Sequence, residues 1–201
     1  MDRAFRAPEY PEVGEAPLVF LAGPIQGAPL WQEDAIKILA QLNPELWVAS
    51  PRRLIPVVRS GFKGNKYAEQ VDWETHHLRK AAKNGAVVFW LAAKTEDIPG
   101  REYAQTTRVE LGNWMEVARR KEASLVIGVE EGFSGGRYIK RRVSQDCPWV
   151  PICETLEETC AQASSLASQH LSGRTPQPRP PAEIKAPPTS IGIPETHGGA
   201  R

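Results

Sequence analysis

The hexapeptide Ala86-Val-Val-Phe-Trp-Leu91 gives the clearest strand signal in the sequence, because six consecutive apolar residues suit a strand buried on both faces. A polar loop and a helical pattern over residues 107–121 follow it. Other apolar runs and helical patterns alternate along the chain, with strands at 18–22, 46–49, 124–129 and 149–152 and helices at 30–42, 67–83, 137–143 and 155–170. This alternation predicts a doubly wound α/β domain with a five-stranded parallel sheet.

The composition divides the chain of 201 residues into three parts. Residues 17–171 are long enough for one domain with a single core. Residues 1–16 read as a flexible arm. Residues 172–201 hold seven of the 18 prolines and almost no large apolar side chains. Such a segment cannot bury enough surface to offset its ordering entropy, so we expect a disordered tail.

Charge and hydropathy exclude several classes of protein. A net charge of +1 provides no overall field for nucleic acid. The longest apolar run, residues 86–93, is far shorter than the ~20 residues that span a bilayer. The three cysteines are an odd number without close paired spacing, which argues against disulfides and zinc. We therefore expect a cytoplasmic protein that binds neither membranes nor nucleic acid and uses no metal or other cofactor.

Four segments follow predicted strands and should meet where the carboxyl ends of the strands form a ligand crevice. Two of them are short turns, and the other two are the helix that begins at residue 67 and the segment 106–112. In Gly23-Pro-Ile-Gln-Gly27, glycines allow close approach of the backbone to a ligand, although a plain strand-to-helix turn explains them equally well. In Ser50-Pro-Arg-Arg53, two guanidinium groups could bind a carboxylate, a phosphate or a sugar hydroxyl.

The helix at 67–83 carries candidate acids. A helical projection centred on Val71 predicts an inward stripe that includes Leu78, with Glu74 on its shoulder and Asp72 farther away. A carboxylate beside an apolar stripe is costly without a partner or a function, so Glu74 ranks above Asp72. Trp73 projects away from this stripe, which suggests a surface covered by a partner subunit.

Glu110 is open to two interpretations. The sequence Thr107-x-x-Glu110 matches a capping box, in which the carboxylate serves only the start of its helix. Alternatively, Glu110 borders the inward stripe of its helix in the first turn, at the ligand-binding end of the sheet. The helix dipole would then keep it ionised, which suits a nucleophile.

Three segments taken together resemble nucleoside 2-deoxyribosyltransferase-like proteins, and the resemblance covers about residues 18–152. They are Phe20-Leu-Ala-Gly-Pro-Ile25, Gln70-Val-Asp-Trp-Glu74 and Thr107-x-x-Glu110-Leu-Gly112. A divergent branch of that family also has the pattern of Trp31-Gln32 and Pro51-Arg-Arg53. The resemblance implies a flavodoxin-like fold and a glutamate nucleophile at Glu110. It also implies cleavage or exchange of the N-glycosidic bond of a nucleoside through a covalent glycosyl-enzyme.

The resemblance further implies roles for other residues. Glu74 or Asp72 would assist the departing base, and Gln26 with the glycine turn would hold the sugar. The residues expected to bind substrate are Gly23, Pro24, Gln26, Gly27, Arg52, Arg53, Gln70 and Thr107. Related proteins often complete a pocket with a neighbouring subunit, so we expect a homo-oligomer. Base recognition is not carried over, because Asp97 lies thirteen residues before Glu110, farther than the family's base-contacting aspartate lies from the nucleophile.

Two alternative functions remain from the sequence. Arg52 and Arg53 could read a 5′-phosphate, which would suit a nucleoside 5′-monophosphate N-glycosidase. The other alternative is a non-catalytic nucleotide-binding or sensing module on the same fold, in which Glu110 acts only as a helix cap.

Overall fold

The computed structural model describes residues 3–53, 65–120 and 122–171, in which a parallel sheet has helices on both faces. Its strands are β1 (Ala4–Arg6), β2 (Leu18–Ala22), β3 (Trp47–Ser50), β4 (Gly85–Leu91), β5 (Leu125–Val129) and β6 (Ile152–Cys153). Its helices are α1 (Trp31–Leu42), α2 (Asn65–Asn84), α3 (Gln105–Arg119), α4 (Gly136–Asp146) and α5 (Leu156–Leu171). The order is β1-β3-β2-β4-β5-β6 and every pairing is parallel, so the predicted α/β fold is confirmed.

The central strands β2, β4 and β5 are buried at every residue, as their uninterrupted apolar sequences predict. Alternate side chains of each strand enter different cores. On β2, Phe20 joins the core beneath α2, α3 and α4, whereas Val19 and Leu21 join the core beneath α1 and α5. Helices α2 and α3 therefore lie side by side on one face of the sheet.

The expectation of five strands was wrong by one. The additional strand, β1, pairs with β3 and lies in the segment that the sequence analysis treated as a flexible arm. Phe5, Ala7 and Val13 are buried in the core beneath α2. Three isolated apolar residues among prolines and charges give no strand pattern, so only the contacts with the folded domain reveal that this segment belongs to the sheet.

The predicted inward face of α2 was wrong in part, because Leu78 is buried as predicted but Val71 is not. Trp73 is fully buried, whereas Val71 is 40% exposed. The indole nitrogen of Trp73 donates a hydrogen bond to the Glu9 carbonyl oxygen at 2.7 Å, and the Phe5 ring lies 6.0 Å from the Trp73 ring. The covering surface is therefore the N-terminal segment of the same chain. The expectation of a homo-oligomer consequently loses its support from Trp73 and rests on the resemblance alone.

The remaining boundaries differ by a few residues. Strand β6 begins at Ile152, three residues after its predicted start. Helix α3 begins at Gln105, two residues before its own predicted start. The predicted tail at 172–201 lies outside the described residues. No helix within the three described ranges combines the length and apolarity needed to cross a membrane.

Candidate active site

The topological switch point of the sheet lies between β2 and β4, because the connections that leave these neighbouring strands run to opposite faces. Doubly wound folds bind ligands in the crevice at the carboxyl edge of this point. The turn after β2 and the loop after β4 meet there. The Gly27 carbonyl oxygen accepts hydrogen bonds from the Thr95 backbone nitrogen at 2.8 Å and from Thr95 Oγ1 at 3.1 Å. Arg101 donates a hydrogen bond to the Gln26 side-chain oxygen. The structure thus brings the predicted turn to the place where such folds bind ligands.

Gly23 and Pro24 form the framework of this turn. Gly23 has φ +151°, and a Cβ there would lie 2.3 Å from the Trp90 carbonyl oxygen, so only glycine fits. The Pro24 carbonyl oxygen accepts a hydrogen bond from Trp31 Nε1 at 2.9 Å. Both residues therefore hold the turn against β4 and α1.

Arg52 is bound to the same turn. Its Nε donates to Gln32 Oε1 at 3.0 Å, and its Nη2 donates to the carbonyl oxygens of Ile25 at 2.7 Å and Pro29 at 3.2 Å. Burial lowers the pKa of Arg52 despite the nearby charge of Glu33. A phosphate at this position would have to compete with these acceptors.

Arg53 is connected to the first candidate acid, Glu74, by hydrogen bonds through Gln70. The Nε of Arg53 donates to Gln70 Oε1 at 2.8 Å, and its Nη2 donates to Glu69 Oε2 at 2.8 Å. Gln70 Nε2 in turn donates to Glu74 Oε1 at 2.8 Å and to the Pro51 carbonyl oxygen at 2.9 Å. The end of β3 and the first half of α2 therefore hold one oxygen of the Glu74 carboxyl in place.

Glu110 lies in the second turn of α3 and does not cap the helix. The N-cap residue is Ala104, and no side chain makes a capping hydrogen bond there. Thr107 is buried within the helix, so the capping-box interpretation of Thr107 and Glu110 was wrong. The expected first-turn position near the dipole was wrong for the same reason, since the helix begins two residues earlier than its sequence pattern indicates.

The two glutamates form an electrostatically coupled pair across the helix interface. Burial, followed by the charge of Glu74, raises the pKa of Glu110 to about 7. Burial also raises the pKa of Glu74, against the opposing effects of the Gln70 hydrogen bond and the Arg53 charge. Like charges in a half-buried place disfavour simultaneous ionisation. The raised pKa of Glu110 favours its protonated form below about pH 7, in contrast to the ionised Glu110 that the dipole argument predicts.

A groove of about 540 Å³ runs between α2 and α3 from Glu110. Its volume lies within the range of small-molecule sites. Both apolar and polar residues line it: Thr75, Leu78, Arg79, Ala82, Lys83, Glu110, Asn113, Trp114, Val117 and Glu122. Leu78, which was predicted to face the sheet, lies between the sheet and this groove.

Sequence reasoning assigned no role to several groove residues. Asn113 and Val117 follow Glu110 by three and seven positions, and this helical spacing from a candidate acid could have identified them. Asp72, by contrast, is exposed on α2 and is not part of the carboxyl pair. Across the described ranges, His, Cys, Asp and Glu side chains do not come together in any group of three that could hold a metal ion.

A second groove, of about 570 Å³, lies on the opposite side of α3, against α4. The three arginines that line it have acceptors in the protein. Arg119 pairs with Glu116 at 2.7 Å and Arg142 with Asp146 at 2.6 Å, while Arg108 donates to the carbonyl oxygen of Ser134 at 2.9 Å. The Arg119 and Arg120 hydrogen bonds lower the pKa of Glu116 to about 2.

The protein is thus a doubly wound parallel α/β protein in which two electrostatically coupled glutamates lie on neighbouring helices of one face. Comparison with family models assigns the chain more narrowly. The model described as "Nucleoside 2-deoxyribosyltransferase like" matches residues 16–133, which is more than half of the sequence. The chain belongs to this family, and a role related to nucleosides follows from it. A search of curated proteins found no significant match.

Proposed function

We propose that this protein cleaves or exchanges the N-glycosidic bond of a nucleoside, with Glu110 as the nucleophile. The proposal rests chiefly on the coupled carboxyl pair, Glu74 and Glu110, within the region matched by the family model. Retaining cleavage of a glycosidic bond uses two carboxyl groups, one as nucleophile and one as acid. A pair that retains one proton near neutral pH supplies both forms at once.

The proposed reaction has two steps. In the first, the Glu110 carboxylate bonds to the anomeric carbon while the bond from that carbon to the base nitrogen breaks. The base leaves with a proton from Glu74. In the second, water or a second base attacks the same carbon, the ester to Glu110 breaks, and Glu74 accepts the proton of the incoming group. Water gives hydrolysis and a base gives exchange.

The opposite division of roles has one observation in its favour. Gln70 and Arg53 both favour the charged form of Glu74, whereas burial favours the neutral form of Glu110. In the free protein the better-stabilised carboxylate is therefore Glu74. We retain Glu110 as the nucleophile because it occupies the position of the family's glutamate motif, and we make the identity of the labelled residue the test.

The polar groups of the turn suit the sugar better than the base. Gln26 is exposed at the crevice, and its side-chain oxygen already accepts a hydrogen bond from Arg101. Its amide group can still donate to a sugar hydroxyl. Thr107 is buried within α3, which argues for a packing role rather than the predicted contact with substrate.

An assay of base release provides the first test. Purified protein is incubated with each common deoxynucleoside, ribonucleoside and 5′-monophosphate, with and without a second free base. Release of base without an acceptor identifies a hydrolase, and a new nucleoside in its presence identifies a transferase. Turnover of monophosphates alone would support the phosphate-dependent alternative. Binding without turnover of any substrate would support a sensing module and contradict the proposal.

A trapping experiment tests the nucleophile. A 2-fluoro-substituted nucleoside analogue slows the second step, so the glycosyl-enzyme accumulates and can be digested and sequenced by mass spectrometry. We expect the label on the peptide that contains Glu110, in the wild type and in a Glu116→Gln control, and no label in Glu110→Gln. A label on Glu74 would establish the opposite division of roles.

A further inference from the structure

Gln70 has its side-chain orientation determined by three neighbours. Its amide nitrogen donates to Glu74 Oε1 at 2.8 Å and to the Pro51 carbonyl oxygen at 2.9 Å, and its oxygen accepts from Arg53 Nε at 2.8 Å. If the amide were flipped, its oxygen would face two acceptors and its nitrogen would face a donor. The observed orientation is therefore the only one that satisfies these groups.

The same contacts remove Gln70 from the expected set of substrate-binding residues. Both hydrogens of its amide nitrogen are already bound within the protein, and the residue is only 8% exposed. A substrate could reach it only by breaking a buried hydrogen bond, which costs free energy. Its side chain is thus suited to hold another residue rather than a ligand.

We infer that Gln70 is a positioning residue, which holds the Glu74 carboxyl in one orientation before substrate binds. The catalytic meaning of this inference rests on the proposed function. The arrangement itself, in which the Gln70 amide binds one oxygen of the Glu74 carboxyl, is independent of any reaction.

The charges around the pair are consistent with this role. Near Glu74, Arg53 follows β3 and itself pairs with Glu69, and Glu110 faces the carboxyl from α3. Farther along the groove lie Arg79, Lys83 and Glu122. Arg53 and the Gln70 amide are the groups that favour the charged form of Glu74. Removal of the amide donor should therefore make Glu74 easier to protonate, and a neutral Glu74 no longer opposes ionisation of Glu110.

The test is a carboxyl titration followed by NMR in the full chain, comparing wild type, Gln70→Met and a Gln145→Met control. Gln145 is exposed on α4, so its substitution makes the same chemical change away from the pair. We expect the pKa of Glu74 to rise and that of Glu110 to fall in Gln70→Met, with neither changed in the control. A loss of packing alone gives no reason for the two values to move in opposite directions. Unchanged values in folded Gln70→Met overturn the inference.

A measurement on the wild type covers the case in which Gln70→Met does not fold. The side-chain amide protons of Gln70 should shift with pH at the titration midpoint of Glu74, because one of them is bonded to that carboxylate. If the chemical shifts of these amide protons do not change at this midpoint, the inference is overturned.

Kinetics separate positioning from substrate contact. We expect kcat to fall about tenfold in Gln70→Met, while KM stays within about twofold, because the Glu74 carboxyl is no longer held in the orientation that protonates the departing base. A rise in KM with unchanged carboxyl titrations would instead identify a substrate contact. If the wild type turns over no nucleoside, the proposed function fails, and the NMR titrations still decide whether Gln70 governs the pair.

Discussion

Helix α3 separates two grooves of nearly equal volume whose charges are satisfied in opposite ways. On the α4 side, Glu116 accepts hydrogen bonds from two arginines and its pKa falls to about 2. On the α2 side, burial and the charge of Glu74 raise the pKa of Glu110 to about 7. Two identical side chains six positions apart on one helix thus have opposite electrostatics.

The difference shows that groove size alone does not identify a functional site. The α4 groove is slightly larger, but its ion pairs already satisfy its charges. The α2 groove contains Glu110, whose pKa is raised by burial and by the charge of Glu74. Perturbed acids of this kind are concentrated at catalytic sites, because the chemistry needs a proton that is available near neutral pH.

The largest expected effect is on turnover. Glu110→Gln should lower kcat for base release by at least about 10³-fold, because the amide cannot form the glycosyl-enzyme. Glu116→Gln makes the same change on the same helix and should leave kcat within about twofold of wild type. Steady-state assays on both proteins test the comparison, and equal losses in the two variants would contradict it.

The pH profile should show the proton retained by the pair. With one proton the pair supplies an acid and a nucleophile, and loss of that proton above about pH 7 removes the acid. We expect kcat/KM to fall about tenfold per pH unit on the alkaline side. Glu116→Gln should have the same profile, because the acid it removes is already ionised throughout this range. A flat profile from pH 5 to pH 9 would show that no proton of the pair takes part.

The contrast between the grooves depends on contacts that the sequence indicates only in part. Long apolar strands such as Ala86-Val-Val-Phe-Trp-Leu91 made the sheet and its layers predictable, because a fully buried strand must be apolar throughout. The same alternation correctly placed the glycine turn at the carboxyl edge of the sheet and Glu110 on the helix α3. The family followed from short motifs in order, and the match over residues 16–133 confirms it.

The orientation of α2 was not predictable from periodicity. Val71 and Trp73 lie on different faces of this helix, and which of them is buried depends on what covers each one. The N-terminal segment covers Trp73, and α3 forms the groove beside Leu78. Such contacts join residues far apart in the chain, as do the hydrogen bonds that commit Arg52 to the glycine turn. Local sequence patterns do not indicate these contacts or these hydrogen bonds.

Thermal stability should reveal the cost of holding Glu110 in place. Its folded pKa lies above that of an unfolded glutamate, so the folded state binds the extra proton between the two values. Stability therefore falls as pH rises through that window, and the loss is complete above about 7. Glu110→Gln should raise stability at pH 8 by on the order of 1 to 3 kcal/mol and have little effect below pH 4.

The measurement is the unfolding midpoint of Glu110→Gln and Glu116→Gln at both pH values. A gain of a few degrees at pH 8, confined to Glu110→Gln, would support the buried-acid description. Glu116→Gln should instead lose a little stability at pH 8, because it removes an acid bound by Arg119 and Arg120. A destabilised Glu110→Gln at pH 8 would indicate that the carboxylate has a favourable partner.

The smallest expected effect comes from the α4 groove. Arg142→Gln breaks the pair with Asp146, whose oxygen lies 2.6 Å from the guanidinium. Ion pairs this accessible contribute about 0–1 kcal/mol, so unfolding should change only slightly. The pair lies across α3 from the two glutamates, so kcat and KM should both stay within about twofold of wild type. A loss of turnover approaching that of Glu110→Gln would show that the larger groove takes part in the reaction, and the distinction between the two sides of α3 would then fail.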